Sequence, residues 1–258
     1  NDIKSVFHFA ALKAAGESMV NPSAFSKINI CGSINILNVA SKHNVENVIF
    51  SSSAAVYGHP NYLPVDEGHK TKPTNYYGST KLIIEDIIKW YAQIHGFNYA
   101  LLRYFNAAGY DINGRIKNKE KGSTNLLPII MEVLAGERKH LDVYGDDYDT
   151  QDGTCIRDYI HVNDLSDAHI KSLGYIDSNK KNFLANLATG KGYSVKEVIK
   201  VAEQVIGKSV KHKFVDRRIG DSAELIAKTK DAFDLLNWTP KHSDISTIIK
   251  SMWEVYKR

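Results

Sequence analysis

The residues Val48-Ile49-Phe50-Ser51-Ser52-Ser53, followed across a polar loop by Tyr77-Gly78-Ser79-Thr80-Lys81, decide how this chain is read. The first run is a short apolar strand ending in three serines, and the second opens a helix. Residues four apart on a helix project from one face, so Tyr77 and Lys81 reach the same small molecule. A phenol ordinarily loses its proton at about pH 10, and a fixed ammonium close by favours the phenolate and lowers that value. A tyrosine tuned in this way serves first as general base and then as general acid. Ser53, at the carboxyl end of the strand, supplies a hydroxyl to the same oxygen.

Spacing alone does not establish the pair. With 14 Tyr and 33 Lys plus Arg in 258 residues, Tyr-x3-Lys/Arg arises about 1.8 times by chance. It occurs twice, at Tyr77/Lys81 and at Tyr99/Arg103. The second copy lies in the apolar, strand-like run Tyr99 to Phe105, where residues four apart are about 13 Å from each other, so it is fortuitous. Context singles out the first.

Working outward, Ser5-Val6-Phe7-His8-Phe9-Ala10-Ala11 reads as a buried strand. Pro22 opens a helix carrying Phe25, Ile28, Ile30, Ile34, Leu37 and Ala40 at about 3.6-residue spacing. Val45 to Phe50 is the next strand, Asn75 to His95 a long helix, and Tyr99 to Phe105 a third strand. Strands alternating with helices predict an α/β fold with a Rossmann-like doubly wound parallel sheet. Ligands bind such sheets at the carboxyl ends of the strands, where Ala10, Ser53 and Asn106 fall. Further on, helices are expected over Leu126 to Leu134, Asn163 to Gly174, Ser194 to Ile206 and Ile245 to Tyr256, with strands at Asp158 to Val162 and Phe183 to Leu187. Ser194 and Glu197 stand at capping-box positions, and Gly207 ends that helix.

Composition narrows the class. Hydrophobic residues make up 43% and charged residues 24% of the chain, and the net charge of +4 is spread along it. A nucleic-acid binder would show clustered Lys/Arg, whereas the densest run, Arg115 to Lys121, reads as a solvated loop. No apolar run approaches the roughly 20 residues that span a bilayer. The ten histidines and two cysteines show no metal-ligand spacing. Cys31 and Cys155 are too few for a disulfide scaffold and point to a reducing, cytoplasmic compartment. Gly190-Lys191-Gly192 before a helix is half of a phosphate loop without its third glycine, and reads as a turn.

Five ordered strings, Phe7-His8-Phe9-Ala10-Ala11-Leu12-Lys13, Phe50 to Gly58, Tyr77 to Lys81, Leu102-Arg103-Tyr104-Phe105-Asn106 and Arg157-Asp158-Tyr159-Ile160-His161-Val162, together resemble the UDP-glucose (UDP-galactose) 4-epimerases of galactose metabolism, extended short-chain dehydrogenase/reductases. The resemblance covers essentially the whole chain. It implies NAD-dependent inversion at the sugar C4 through a 4-keto intermediate, with Tyr77 as acid and base, Lys81 bonding the nicotinamide ribose, and Ser53 bridging sugar oxygen and phenol. By the same resemblance Phe9, Ala10, Ala11, Leu12, Lys13, Asn29 and Phe105 line the cofactor beside Ser53, Tyr77 and Lys81. Asn106, Asn125, Leu126, Asp142, Val143, Tyr144, Arg157, Arg218, Asp221 and Leu225 hold the UDP-sugar with Ser53 and Tyr77. Two arginines suit a pyrophosphate, because the guanidinium fork bonds oxygens in pairs. The family also implies homodimers built on the Pro22 to Lys42 and Tyr76 to His95 helices.

Three departures qualify the resemblance. Ala54 and Ala55 follow Ser53 where related dehydratases resemble Thr-Asp-Glu, which disfavours elimination of water. At the gate position Leu225 is neither tyrosine nor a small residue, leaving N-acetylated sugars open. Nothing resembles the Gly-rich turn with which family members open, so the expectation is an N-terminally truncated chain, with residues 1–106 an incomplete NAD-binding domain. Residues 107–258 form a smaller α+β UDP-sugar domain, from which 157–188 returns to the main sheet. The alternatives are a UDP-pentose or UDP-glucuronate-processing relative, or a non-catalytic fragment that binds nucleotide sugar.

Overall fold

The computed structural model describes residues 2–120, 122–218 and 220–257. In chain order, strand β1 (Ser5–His8) and helix α1 (Ala15–Val20) precede α2 (Pro22–Phe25), a π-helical turn (Ser26–Cys31) and α3 (Gly32–Lys42). Strand β2 (Asn47–Ser53), helix α4 (Tyr76–His95) and strand β3 (Asn98–Tyr104) follow. Then come β4 (Asn106–Ala108), α5 (Leu126–Leu134), β5 (Leu141–Tyr144), β6 (Ile156–His161), α6 (Val162–Asn179) and β7 (Phe183–Leu187). The remaining elements are β8 (Gly192–Ser194), α7 (Val195–Ile206), β9 (His212–Val215), β10 (Glu224–Leu225), α8 (Lys230–Leu236) and α9 (Ile245–Tyr256).

These elements fall into two units. The first takes in residues up to Tyr104 together with Asp167–Leu187 and Lys228–Trp238. Its sheet is wholly parallel in the order β1-β2-β3-β7. Leu37 and Ala40 of α3 and Ile84, Ile88 and Ala92 of α4 pack on Val48, Phe50 and Leu101 of the strands. Complete burial of a side chain of this size is worth roughly 1.5–3 kcal/mol.

The limits of α4 are written in its flanks. The Asn75 side chain accepts the Gly78 N–H at 2.9 Å, capping the first turn. Gly96 closes the helix in the left-handed conformation, with φ 80°. Gly78 itself is forced by close approach: a Cβ there would stand 2.4 Å from the Ala55 carbonyl oxygen. The start of α4 can therefore lie directly against the turn Ala54–Val56 that follows Ser53. That contact positions the site described below.

The second unit comprises Phe105–Ser166, Ala188–Ala227 and the residues from Thr239 on. Strands β10, β6 and β4 run parallel, β8 pairs antiparallel with β6, and β5 pairs with β9. Helices α5, α7 and α9 bury a common apolar core around Ile130, Met131, Val198, Ile248 and Met252. The capping box of α7 is formed, with Ser194 Oγ accepting the Glu197 N–H and the Glu197 carboxylate accepting the Ser194 N–H.

The return to the main sheet is narrower than the expected 157–188. Only β7 joins β3, while β6 finds its partners in β4, β8 and β10. The first unit also recruits 228–238, unforeseen because α8 is one short helix with little periodicity. In the basic run Arg115 to Lys121, Arg115 is not simply solvated but bonds Asp111 in bidentate fashion, and Lys121 lies outside the described residues. No helix among the described residues is long and apolar enough to cross a membrane, and none of their His, Cys, Asp and Glu side chains group as a metal site.

Candidate active site

In the first unit, the carboxyl end of β2 and the first two turns of α4 bring Ser53, Tyr77 and Lys81 together. Ser53 is extended and accepts the Ala55 N–H at 3.2 Å, which orients its hydroxyl. That hydroxyl acts on the Tyr77 phenol, favouring its ionised form. The Tyr77 backbone N–H is held by Ser18 Oγ at 3.0 Å, a contact from α1. Lys81 is buried, and its ammonium donates to the Ser51 carbonyl at 2.7 Å. It lies 4.8 Å from the centre of the Phe50 ring and 5.8 Å from that of Tyr77.

The electrostatics differ from the sequence expectation. Burial dominates at both groups, pushing the Tyr77 phenol above its ordinary value and the Lys81 ammonium down to about 8. The Ser53 hydroxyl opposes the first shift and the Glu85 carboxylate the second. Seated on the Ser51 carbonyl, the ammonium does not by itself outweigh desolvation of the phenol.

Phe9, Ala10, Ala11, Leu12 and Lys13 follow β1, with Phe9, Ala10 and Lys13 exposed and Ala11 and Leu12 half-buried. Phe9 stacks on the His169 ring at 4.8 Å. Asn29, drawn inward by the π-helical turn, is fully buried. Its amide accepts the Leu12 N–H at 2.7 Å and donates to Leu12 O at 3.0 Å and Thr80 Oγ1 at 3.1 Å. Asn29 thus clamps the Leu12 segment to α4.

In the second unit, Arg157, Asp221, Arg218 and Tyr144 form one linked group. Arg218 Nε donates to Asp221 Oδ2 at 3.1 Å, and its guanidinium lies 5.0 Å from the centre of the half-exposed Tyr144 ring. Arg157 stands 4.0 Å from Asp221 Oδ1, and Leu225 pairs in register with Arg157. Asn106 Nδ2 donates to the Asp158 carbonyl at 3.0 Å. Asn125 precedes α5, exposed and without a capping bond, and Leu126 is half-buried. Asp142 faces His140 and Lys213 at 3.2 and 3.4 Å. The Val143 side chain is 2% exposed and belongs to the core, so only its backbone is available to a substrate. Phe105 is likewise buried.

Asp158, next to Arg157 in the chain, is fully buried and faces the 189–190 turn. It accepts Thr189 N–H and Oγ1–H at 2.9 and 2.7 Å and Gly190 N–H at 2.8 Å. The Gly190-Lys191-Gly192 turn is therefore closed on an internal carboxylate instead of a phosphate.

The NAD dependent epimerase/dehydratase family model matches residues 1–188 of this sequence. The chain belongs to that family. The UDP-glucose 4-epimerase of Halalkalibacterium halodurans is 42% identical to it over 257 residues, which are 100% of this chain and 77% of that protein. The crystal structure of UDP-glucose 4-epimerase from Brucella ovis in complex with NAD superposes with a TM-score of 0.95 at 41% identity, covering 98% of this chain and 78% of that one. The enzyme from Bifidobacterium longum in complex with NAD+ and UDP gives 0.93 at 42% identity, covering 99% and 76%. Within this epimerase/dehydratase-family chain, sequence reading missed two buried partners of the Ser51–Ser53 segment. Glu85 and His169 lie against it, and the signal for the first was Arg103, a charge inside an apolar strand that demands a counter-ion.

Proposed function

We propose that this chain carries the chemistry of a UDP-glucose 4-epimerase, interconverting UDP-galactose and UDP-glucose with NAD as resident cofactor. The observation that carries the reading is Tyr77 and Lys81 one turn apart on α4, with Lys81 seated on Ser51 O at 2.7 Å and the Ser53 hydroxyl favouring the ionised phenol, in a chain 42% identical over its length to a UDP-glucose 4-epimerase. The residues suit a nicotinamide ribose. Lys81 uses one of its three donors on Ser51 O, which leaves two for another acceptor.

Bound NAD supplies the hydride acceptor and donor at C4 and, when oxidised, a second positive charge that favours the Tyr77 phenolate. Tyr77 takes the proton of the sugar 4-hydroxyl as the C4 hydride departs, leaving a 4-keto sugar. Ser53 donates to the developing carbonyl oxygen and fixes its direction. Lys81 holds the phenolate by charge. When hydride returns to the opposite face, Tyr77 gives the proton back, so atoms and charge balance over the cycle. Arg157 and Arg218 neutralise the pyrophosphate and Tyr144 offers its ring to the uracil, while Asn106, Asn125, Leu126, Asp142, Leu225 and the Val143 backbone complete the nucleotide-sugar pocket. Ala54 and Ala55 carry no acid or base, which favours epimerisation over dehydration.

The proposal extends to a homodimer. Val39 of α3 and Trp90 and Ile94 of α4 are 59%, 63% and 68% exposed, and pairing would cover them. Sedimentation of the purified protein against Trp90→Glu tests that extension. A cytoplasmic location would keep Cys31 and Cys155, both free thiols, reduced.

The deciding experiment uses UDP-galactose carrying deuterium at C4. Formation of UDP-glucose with the label retained supports reversible hydride transfer. Loss of label to solvent, or no UDP-glucose with NAD bound, contradicts it.

A further inference from the structure

The Ser51–Ser53 segment is gripped by protein groups at each of its three residues. Ser51 O receives the Lys81 ammonium, and Ser53 Oγ accepts the Ala55 N–H and acts on the Tyr77 phenol. Between them the Ser52 hydroxyl donates to Glu85 Oε1 at 2.5 Å. Glu85 is fully buried, one turn beyond Lys81 on α4. Arg103 of β3, 4% exposed, donates to both of its oxygens, from Nε at 2.9 Å and from Nη2 at 2.6 Å. The Arg103 guanidinium is in turn covered by the Tyr57 ring at 4.9 Å, and Tyr57 is fixed to Asn186 at 2.7 Å.

A buried ion pair is a poor way to gain stability, since well-packed apolar residues often serve as well or better. Its retention beside the reacting groups needs another reason. The ionisable groups linked to Lys81 are His8 from β1 and Tyr77 and Glu85 from α4. His8 is held neutral near pH 7, because burial and the Lys81 charge push it down to about 4. Burial raises both Tyr77 and Tyr104, so neither phenol offers Lys81 a standing negative charge of the kind that Glu85 does. Among the described residues, Glu85 is therefore the negative charge that keeps Lys81 an ammonium while burial works against it.

We propose that Glu85, aligned by Arg103, is a positioning residue of the active site: it fixes Ser52 between the two serines that hold Tyr77 and Lys81, and it preserves the positive charge of Lys81 through which it acts. The consequence for turnover rests on the epimerase reading, but the charge relation does not.

The test separates the two. The Lys81 ammonium is titrated by NMR on ε-carbon-13 lysine in the purified protein, with its signal assigned by its loss in Lys81→Met. Glu85→Gln keeps an oxygen for Ser52 and Arg103 but removes the charge. Its Lys81 titration is expected to fall by about one pH unit or more, the scale on which a close opposite charge acts. Should that variant not fold, Glu85→Met/Arg103→Met removes both charges, and its Lys81 titration is expected to fall below that of the parent. In turnover of UDP-galactose, the alkaline limb of kcat should move down with the titration while KM stays within about twofold, because uniform binding of the nucleotide is untouched. An unshifted Lys81 titration in the folded variant overturns the proposal even if the protein is an epimerase. A shifted titration in a protein without epimerase activity would leave the proposal standing and remove the functional reading instead.

Discussion

The Lys81 ammonium donates to the Ser51 carbonyl at 2.7 Å, across the interface between helix α4 and the end of strand β2. This bond ties the charge to the same short segment whose last residue, Ser53, favours the ionised Tyr77 phenol. Acid, charge and hydroxyl are thus fixed by two neighbouring elements of one unit, and movement of either element disturbs all three.

Lys81 gives opposite pH dependences to activity and stability. Its folded value, lowered to about 8 from 10.5, means that the unfolded chain binds more protons between those limits, so this group's contribution to stability rises with pH there. Against Lys81→Met, the parent protein should gain up to about 3 kcal/mol in urea unfolding between pH 8 and 10. Over the same interval the parent's turnover should decline as the ammonium is lost. A flat stability difference between the two proteins would show that Lys81 is not desolvated.

Gly78 is required by geometry where helix propensity would prefer alanine. Replacing glycine within a helix ordinarily stabilises by roughly 0.5–1 kcal/mol. Here the added Cβ would stand 2.4 Å from the Ala55 oxygen. Gly78→Ala should therefore cost about 1–3 kcal/mol and lower turnover by pushing Tyr77 away from Ser53. Thermal unfolding and initial rates check both, and a more stable, fully active variant would contradict the contact.

Much of this arrangement was legible in the sequence, and the omissions have physical causes. Helices α4, α5, α7 and α9 announced themselves by period, and α7 by its caps as well, because each buries a continuous apolar face. The strands β4, β8 and β10 are two or three residues long, too short for any alternation to register. The π-helical turn that carries Asn29 inward has no distinctive composition. The Tyr77 and Lys81 pair was visible from spacing, but the direction of the phenol's shift was not, since desolvation depends on packing from β1, β2 and α1 that spacing does not reveal.

Removing Arg103 alone should be severe. Arg103→Met leaves the Glu85 carboxylate buried without its bidentate partner, at a cost of about 3–5 kcal/mol, whereas adding Glu85→Met should recover most of it. Urea midpoints of the single and double variants provide the measurement, and equal destabilisation in both would contradict the pairing.

Arg218 should act on binding and not on chemistry. It is half-exposed, bonded to Asp221 and placed over Tyr144. Loss of a charge-assisted bond to phosphate is worth about 1.5–3 kcal/mol, so Arg218→Ala should raise the KM for UDP-galactose roughly 10- to 100-fold with kcat little changed. A fall in kcat at unchanged KM would place this arginine elsewhere in the reaction.

The most direct test of the whole account is the epimerisation rate of Tyr77→Phe, which removes one oxygen and leaves the ring, Ser53 and Lys81 in place. General acid–base catalysis contributes about 10²- to 10⁴-fold, so kcat for UDP-galactose should fall by that factor while the variant stays folded and still binds UDP. Turnover within a few-fold of the parent protein would contradict the assignment of the proton transfer to Tyr77.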